Sequence, residues 1–467
     1  MSPARSAERM DRWIAAVERC DPVDVRGRVT RVVGLLVESS GPAAAVGEIC
    51  ALAAGDALLG YAEVVGFRAN STLLMPLDGM EGIRPGLEVV ATGSPLSVAT
   101  GRALLGRILD GLGNPIDDRG PLPSVRRPVV GYAPNPLKRQ RIHKPMGTGV
   151  RAIDGFLSLG RGQRLGIFAG SGVGKSVLLG MLAKRCEADV NVICLIGERG
   201  REVREFLERD LGPKGLERSV VVCATSDQPA VARVKAAFTA TAIAESFRDE
   251  GKDVLLMMDS STRLAMAQRE IGLAIGEPPA TKGYTPSVFA LLPQVFERAG
   301  TSERGSITGL YTVLADGDDM EEPVADAIRS ILDGHIVLSR DLANRNHYPA
   351  IDVLRSISRC MPDVVDTEHR KAASEILSLM ALHRENEDLI NLGAYAKGSN
   401  AQIDLAIRLR ERYLAFVKQD RDESTSFQDS TAELLRMAQA AKAPQPTRPG
   451  ASGAQAVRSV ASSTRRE

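Results

Sequence analysis

Apolar positions change their rhythm twice along the chain. Between residues 25 and 97 they fall in short runs, among them VRGRVTRVVGLLVE, GEICAL, LGYAEVVGF and LEVVATG, split by Gly, Asp and Pro. Short strands at that spacing predict a small antiparallel β-barrel over residues 21–97. From residue 150 onward, fully apolar runs alternate with helical periods: QRLGIFA, VNVICLIG, RSVVVCAT, DVLLMMD, ITGLYTVL and GHIVLS. Strands that are apolar on both faces predict an α/β unit over residues 98–368, its parallel sheet covered on both sides. After residue 369 the strand pattern stops. HRKAASEILSLMALHR, NAQIDLAIRLRERYLAFVKQ and DSTAELLRMAQAAK have helical spacing, with GAYAKGSN as a turn, so residues 369–440 read as a helical domain.

The two ends differ from this body. Residues 1–20 read as a short amphipathic helix with Trp13, Ile14 and Val17 on one side. Such a helix docks on its own domain or binds a partner or a membrane surface. Residues 441–467 hold Pro444, Pro446 and Pro449 among many Ser, Ala and Arg, have nothing to bury, and read as a disordered tail.

Bulk composition narrows the classes. At 467 residues the chain is too long for one compact core. Lys+Arg and Asp+Glu number 59 and 58, so the net charge of +1 argues against a dedicated nucleic-acid binder. Residues 25–97 offer only Tyr61 and Phe67 as stacking aromatics, which weakens an RNA-binding front domain further. The six cysteines form no C-x-x-C pair and read as buried, reduced thiols of a cytosolic protein. MSPARSAERM lacks the apolar run of a signal peptide, and no stretch approaches the ~20 apolar residues of a membrane span.

Candidate chemistry sits in the α/β unit. AGSGVGKS, residues 169–176, follows an apolar strand and opens a helical segment. Glycines let such a loop turn its N–H groups onto phosphates, so Ala169, Gly170, Ser171, Gly172, Val173, Gly174, Lys175, Ser176 and the following Val177 form a candidate ATP-binding loop. Lys175 would reach the β- and γ-phosphates and Ser176 would ligand Mg²⁺. Ala169 stands where the usual pattern has glycine, and the tight turns are expected at Gly170, Gly172 and Gly174. Asp259 closes DVLLMMD, at the strand end where α/β sheets bind ligands, and is the candidate acid for the metal's water shell. In VNVICLIGERGREV, Glu198 is the candidate to orient and deprotonate the attacking water, with Arg199 toward the γ-phosphate and Glu202 ordering magnesium waters.

Together these segments resemble the RecA-type rotary ATPase family. AGSGVGKS, GERGRE with Glu198 23 residues after Lys175, LLMMDS and PAIDVLRSIS carry the resemblance. DSSTRLAMAQREIGLAIGEPPATKGYTPSVFALLPQVFERAG is similar to the ATPases of the flagellar type III export apparatus and their injectisome relatives. DRWIAAV and FVKQDRDESTSF favour the flagellar branch, and LLGRILDGLGNPID fits the lead-in to the ATPase domain. The resemblance covers about residues 10–440. It implies a RecA-like ATPase core between a β-barrel and a helical domain, in a homohexamer with ATP and Mg²⁺ bound at subunit interfaces. It implies hydrolysis that releases and unfolds chaperone–substrate complexes and feeds them to a membrane export gate. A coiled-coil stalk in the pore, with the segment around GEPPATKGYTP facing the axis, and a stator-like regulator on the N-terminal helix are implied too. The place implied is the cytoplasm, peripherally at the inner membrane, without nucleic acid.

Within NHYPAIDVLRSISR, the resemblance puts Tyr348 against adenine in its own subunit's site and makes Arg359 the arginine finger of the neighbour's site, with Arg355 its rival. Ser261 stands in DSSTRL where valine is common among relatives. An injectisome ATPase, an ATP synthase-type catalytic subunit and a hexameric RNA translocase are the competing readings. A catalytically dead ring subunit is disfavoured, because Lys175, Glu198 and Asp259 are all present.

Overall fold

The computed structural model describes Met10, Trp13, residues 25–314 and residues 322–442. The N-terminal helix, apart from those two residues, and the tail from residue 443 lie outside the described residues.

The first unit is built from β1 (Gly27–Val33), β2 (Leu36–Ser39), β3 (Glu48–Ala54), β4 (Ala57–Arg68), β5 (Ser71–Pro76) and β6 (Glu88–Pro95). They close in the order β1-β2-β5-β4-β3-β6, all neighbours antiparallel. Closure removes the edges that would otherwise invite pairing with another chain. Val29, Val37, Cys50, Leu52, Ala62, Val64, Leu74 and Val89 fill the interior. Glu63, between two of them on β4, is also buried, because its outward side meets the next unit. There Lys235 Nζ reaches Glu63 Oε1 at 2.6 Å.

The second unit carries a sheet of β7 (Ile108–Asp110), β8 (Arg164–Ala169), β9 (Val190–Ile196), β10 (Ser219–Ala224), β11 (Asp253–Asp259), β12 (Ser306–Leu314), β13 (Gly334–Leu338) and β14 (Ile357–Ser358). The order is β14-β13-β8-β12-β11-β9-β10-β7. Every pair is parallel except β13 with β14. All six apolar runs read from the sequence are strands of this sheet. LLGRILDGLGNPID does more than lead in, since it supplies the edge strand β7.

Alternate residues of one strand face different layers, which is why the strands are apolar throughout. Val192, Cys194 and Ile196 of β9 pack into one core, while Ile193 and Leu195 pack into another. The first core is covered by helices α2 (Ala230–Asp249), α3 (Ser261–Ile275) and α4 (Pro286–Phe296). The second lies under α1 (Lys175–Arg185).

The helical domain is built on three long helices, α5 (Thr367–Glu385), α6 (Ala401–Val417) and α7 (Phe427–Lys442), with a short helix at Glu387–Asn391 after α5. Asp366 caps α5 by accepting from the His369 amide at 2.7 Å, and Asn400 caps α6. These helices do not keep a core to themselves. Ile376, Leu409, Phe416 and Leu434 are continuous with the cluster under α1. Gly155 allows the close approach: a Cβ there would lie 2.7 Å from the Phe416 ring. Among the described residues, no helix is long and apolar enough to cross a membrane.

Candidate active site at the strand ends

The loop after β8 emerges at the C-terminal end of the sheet, between the ends of β12 and β13. Its backbone needs glycine at two places, Gly172 (φ 79°) and Gly174 (φ 92°). Gly170 is not among the positive-φ residues, so the third expected turn is absent. Ala169 is the last residue of β8 and buried, as is Val173, so both offer the loop main chain and no side chain. α1 starts at Lys175 and leaves its first N–H groups facing the loop.

Three strands deliver the charged groups. Lys175 Nζ contacts Asp259 Oδ1 at the end of β11 and stands 3.8 Å from Glu198 Oε1 beyond β9. Thr312 Oγ1, on β12, donates to the same Asp259 oxygen at 2.7 Å. Arg263 Nη2 approaches Glu198 Oε2 at 3.5 Å. Burial first, and then the Asp259 charge, push the Glu198 carboxyl up to about 7, against the pull of Lys175. Its hydrogen bond with Glu202 lowers the Glu202 carboxyl. Glu202 also takes a 3.3 Å contact from the exposed guanidinium of Arg199.

The cleft holds about 430 Å³ and is lined by Gly170, Ser171, Gly172, Gly174, Lys175, Ser176, Val177, Glu198, Arg199 and Glu202, as the sequence anticipates. It is also lined by Glu205, Arg209, Asp210, Arg263, Leu314 and Arg421, which the sequence reading passed over. Arg263 had a signal, four residues after Asp259 at the start of a helix. Thr312 was hidden in an apolar run, and Arg421 lay in a segment assigned to the helical domain.

Asp259, buried beside Lys175, is outside this lining, as are the buried Ala169 and Val173. Two further predicted residues, Tyr348 and Arg359, stand apart from it. The Tyr348 ring borders the loop: its Cε1 lies 3.4 Å from where a Cβ on Gly174 would be. Arg359 is at the opposite end of the sheet. Its amide donates to Asp333 O at 3.0 Å, and Asp333 Oδ2 accepts from the Arg164 amide at the start of β8. Arg359 is exposed and has no ion pair among the described residues.

Comparison with known proteins agrees with this layout. Residues 149–358 match the nucleotide-binding domain of the ATP synthase alpha/beta family, residues 29–93 its beta-barrel domain, and residues 365–436 the T3SS EscN ATPase C-terminal domain. The chain is 54% identical over 430 residues to the flagellum-specific ATP synthase of Bacillus subtilis, covering 91% of this chain and 98% of that protein. It is 52% identical over 411 residues to the type 3 secretion system ATPase of Xanthomonas euvesicatoria, covering 88% and 93%. Among solved structures, the assembled ATPase EscN of the enteropathogenic E. coli type III secretion system superposes with a TM-score of 0.84 at 45% identity, covering 88% of this chain and all of that one. A site of this geometry on this barrel, sheet and helical bundle therefore places the chain in the ATP synthase alpha/beta family, as an ATPase of its flagellar and type III secretion kind.

Proposed function

We propose that the chain forms a homohexameric ring that hydrolyses ATP at its subunit interfaces and thereby assists export of flagellar proteins, releasing and unfolding chaperone-bound substrates. What supports the interface is the position of Arg359. It is level with Arg164, five residues before Ala169, or ~17 Å along the strand from its own phosphate loop. An arginine finger placed there serves a neighbour's site and not its own.

Within one cleft, the loop amides and Lys175 hold the β- and γ-phosphates, and Tyr348 holds adenine. Glu198, poised near neutrality, takes the proton of the attacking water. Arg263 keeps that carboxylate oriented. Arg199 approaches the γ-phosphate. The donors available to a metal are the exposed Ser176 hydroxyl and the Asp259 carboxylate, hard oxygens that fit Mg²⁺, with Glu202 ordering its waters. Among the described residues no cluster of three or more acidic, His or Cys side chains could hold an ion alone. This suits a cation that keeps most of its ligands as water and phosphate. Bound there, Mg²⁺ would neutralise charge on the phosphates.

The central stalk EscO is part of one solved EscN complex that superposes with a TM-score of 0.82. By likeness, a coiled-coil stalk occupies the pore of this ring, near residues 276–286. A stator-like regulator on the N-terminal helix, an export gate and a peripheral station at the inner membrane complete the proposal.

Activity per chain should rise with protein concentration as rings form, and a flat response from a monomer would remove the interface model. Glu198→Gln should bind ATP as the parent does and turn over ~10²-fold or more slowly. Deleting the gene should abolish flagellar filaments. Loss of needle-type secretion with filaments intact would favour the injectisome reading.

A further inference from the structure

Arg359 presents an exposed side chain on a main chain that is fixed from the side of β8. It follows β14, a strand of two residues whose ladder with β13 sets Gly334 opposite Ser358 and His335 opposite Ile357. So short an edge strand has few backbone bonds to fix what comes after it. A further hold comes from Gln163, the residue before β8, which is fully buried. Its Oε1 accepts from the Gly160 amide at 2.9 Å, which settles which end of the carboxamide is oxygen. Nε2 therefore faces two acceptors, the Ser358 hydroxyl at 3.0 Å and the Asp333 carbonyl at 3.2 Å.

Each acceptor leads to Arg359. Ser358 precedes it in the chain, and its hydroxyl donates onward to Ser158 O at 3.0 Å. Asp333 O accepts the Arg359 amide as well, at 3.0 Å. Asp333 is in turn tied to β8: its amide donates to Arg164 O at 2.8 Å, and its carboxylate accepts from the Arg164 amide at 3.0 Å and from Nε at 3.1 Å. The Gln163 main chain is equally fixed, donating to Gly160 O at 3.0 Å and accepting from the Gly309 amide of β12 at 2.9 Å. A buried carboxamide with its oxygen and both its hydrogens in use has one place to be.

We propose that Gln163 is a positioning residue for Arg359: its carboxamide sets the place from which the guanidinium reaches the neighbouring subunit's site. This rests on the ring reading, in which Arg359 serves the neighbour. With no ion pair of its own among the described residues, Arg359 depends on its main chain for aim. Misplacing a reacting group by ~1 Å can cost ~10²-fold in rate. One strand, β8, thus has the phosphate loop of its own site at one end and the seat of the neighbour's arginine at the other.

The test is ATP turnover by rings of the full chain, pure and mixed. Gln163→Met keeps the side chain's length and removes its hydrogen bonds. Alone, it should lower kcat about tenfold or more with KM for ATP within about twofold. Mixed in equal parts with Glu198→Gln chains before assembly, it should recover toward a quarter of the parent rate. About a quarter of the interfaces in such a random ring pair an intact Glu198 with a well-placed Arg359. Mixed with Arg359→Ala chains, it should not recover. Ser358→Ala removes the acceptor from the other side, should follow the same pattern, and decides the matter if Gln163→Met does not assemble. Parental kcat in the variants overturns the proposal. So does recovery with Arg359→Ala chains, or none with Glu198→Gln chains, because either puts the damage in the variant's own site. No recovery when Arg359→Ala is mixed with Glu198→Gln would overturn the ring reading itself.

Discussion

Two buried side chains show how a residue's surroundings set its behaviour. Ser261 is fully buried, and its Oγ finds no hydrogen-bond partner among the described residues. A desolvated hydroxyl with nothing to bond costs ~1–3 kcal/mol. Ser261→Val should therefore be neutral or stabilise by about 1 kcal/mol, read from a denaturant midpoint, and a clear loss would mean that the hydroxyl has a partner. His347 is buried as well, with Nε2 unpartnered among the described residues, and burial lowers its imidazolium to about 4. The folded state thus favours the neutral ring, while the unfolded chain takes up a proton near 6.5. Its stabilising contribution is complete above pH 6.5 and is lost as the pH falls toward 4. His347→Leu should lose less melting temperature between pH 7 and pH 5 than the parent, and an identical acid limb would refute the assignment.

At the scale of elements, burying charge requires a partner. Arg298 after α4 and Glu245 on α2 are each 1% exposed and meet through two hydrogen bonds of 2.9 and 2.7 Å. Arg298 also donates to Val129 O, so the pair fixes α2, α4 and the connection from the barrel in one arrangement. Removing one partner leaves an uncompensated buried charge. Glu245→Gln should cost ~3–5 kcal/mol of unfolding free energy, and Glu245→Leu with Arg298→Met should recover most of it. A single variant as stable as the parent would show that the interior there is wet. These residues stood in helical patterns with no sign of pairing, because 53 residues separate them and only the fold brings them together.

The whole molecule has its two proposed chemical contributions at opposite ends of one sheet. Segment 346–359 runs between them, with Tyr348 at the loop end and Arg359 at the other. If Arg359 completes a neighbour's site, Arg359→Ala should lower turnover up to ~10³-fold. Mixing Arg359→Ala with Glu198→Gln chains before assembly should then restore activity, since about a quarter of the interfaces in a random ring pair an intact Glu198 with an intact Arg359. No recovery after mixing would place Arg359 within its own subunit's chemistry.

Period and punctuation were enough to determine much of this. Alternating short strands gave the barrel, doubly apolar runs gave the parallel sheet, and AGSGVGKS after QRLGIFA located the cleft, because local geometry follows from local residue order. Lys175, Asp259 and Glu198 were legible because each follows an apolar strand and a parallel sheet puts strand ends together. What no local pattern holds is which distant groups converge. Thr312 on Asp259, Arg421 in the cleft lining and the merging of the helical bundle into the main core were decided by tertiary packing. A hydrogen bond or a shared core depends on separation in space, and for residues far apart in the chain that is fixed only when the layers close.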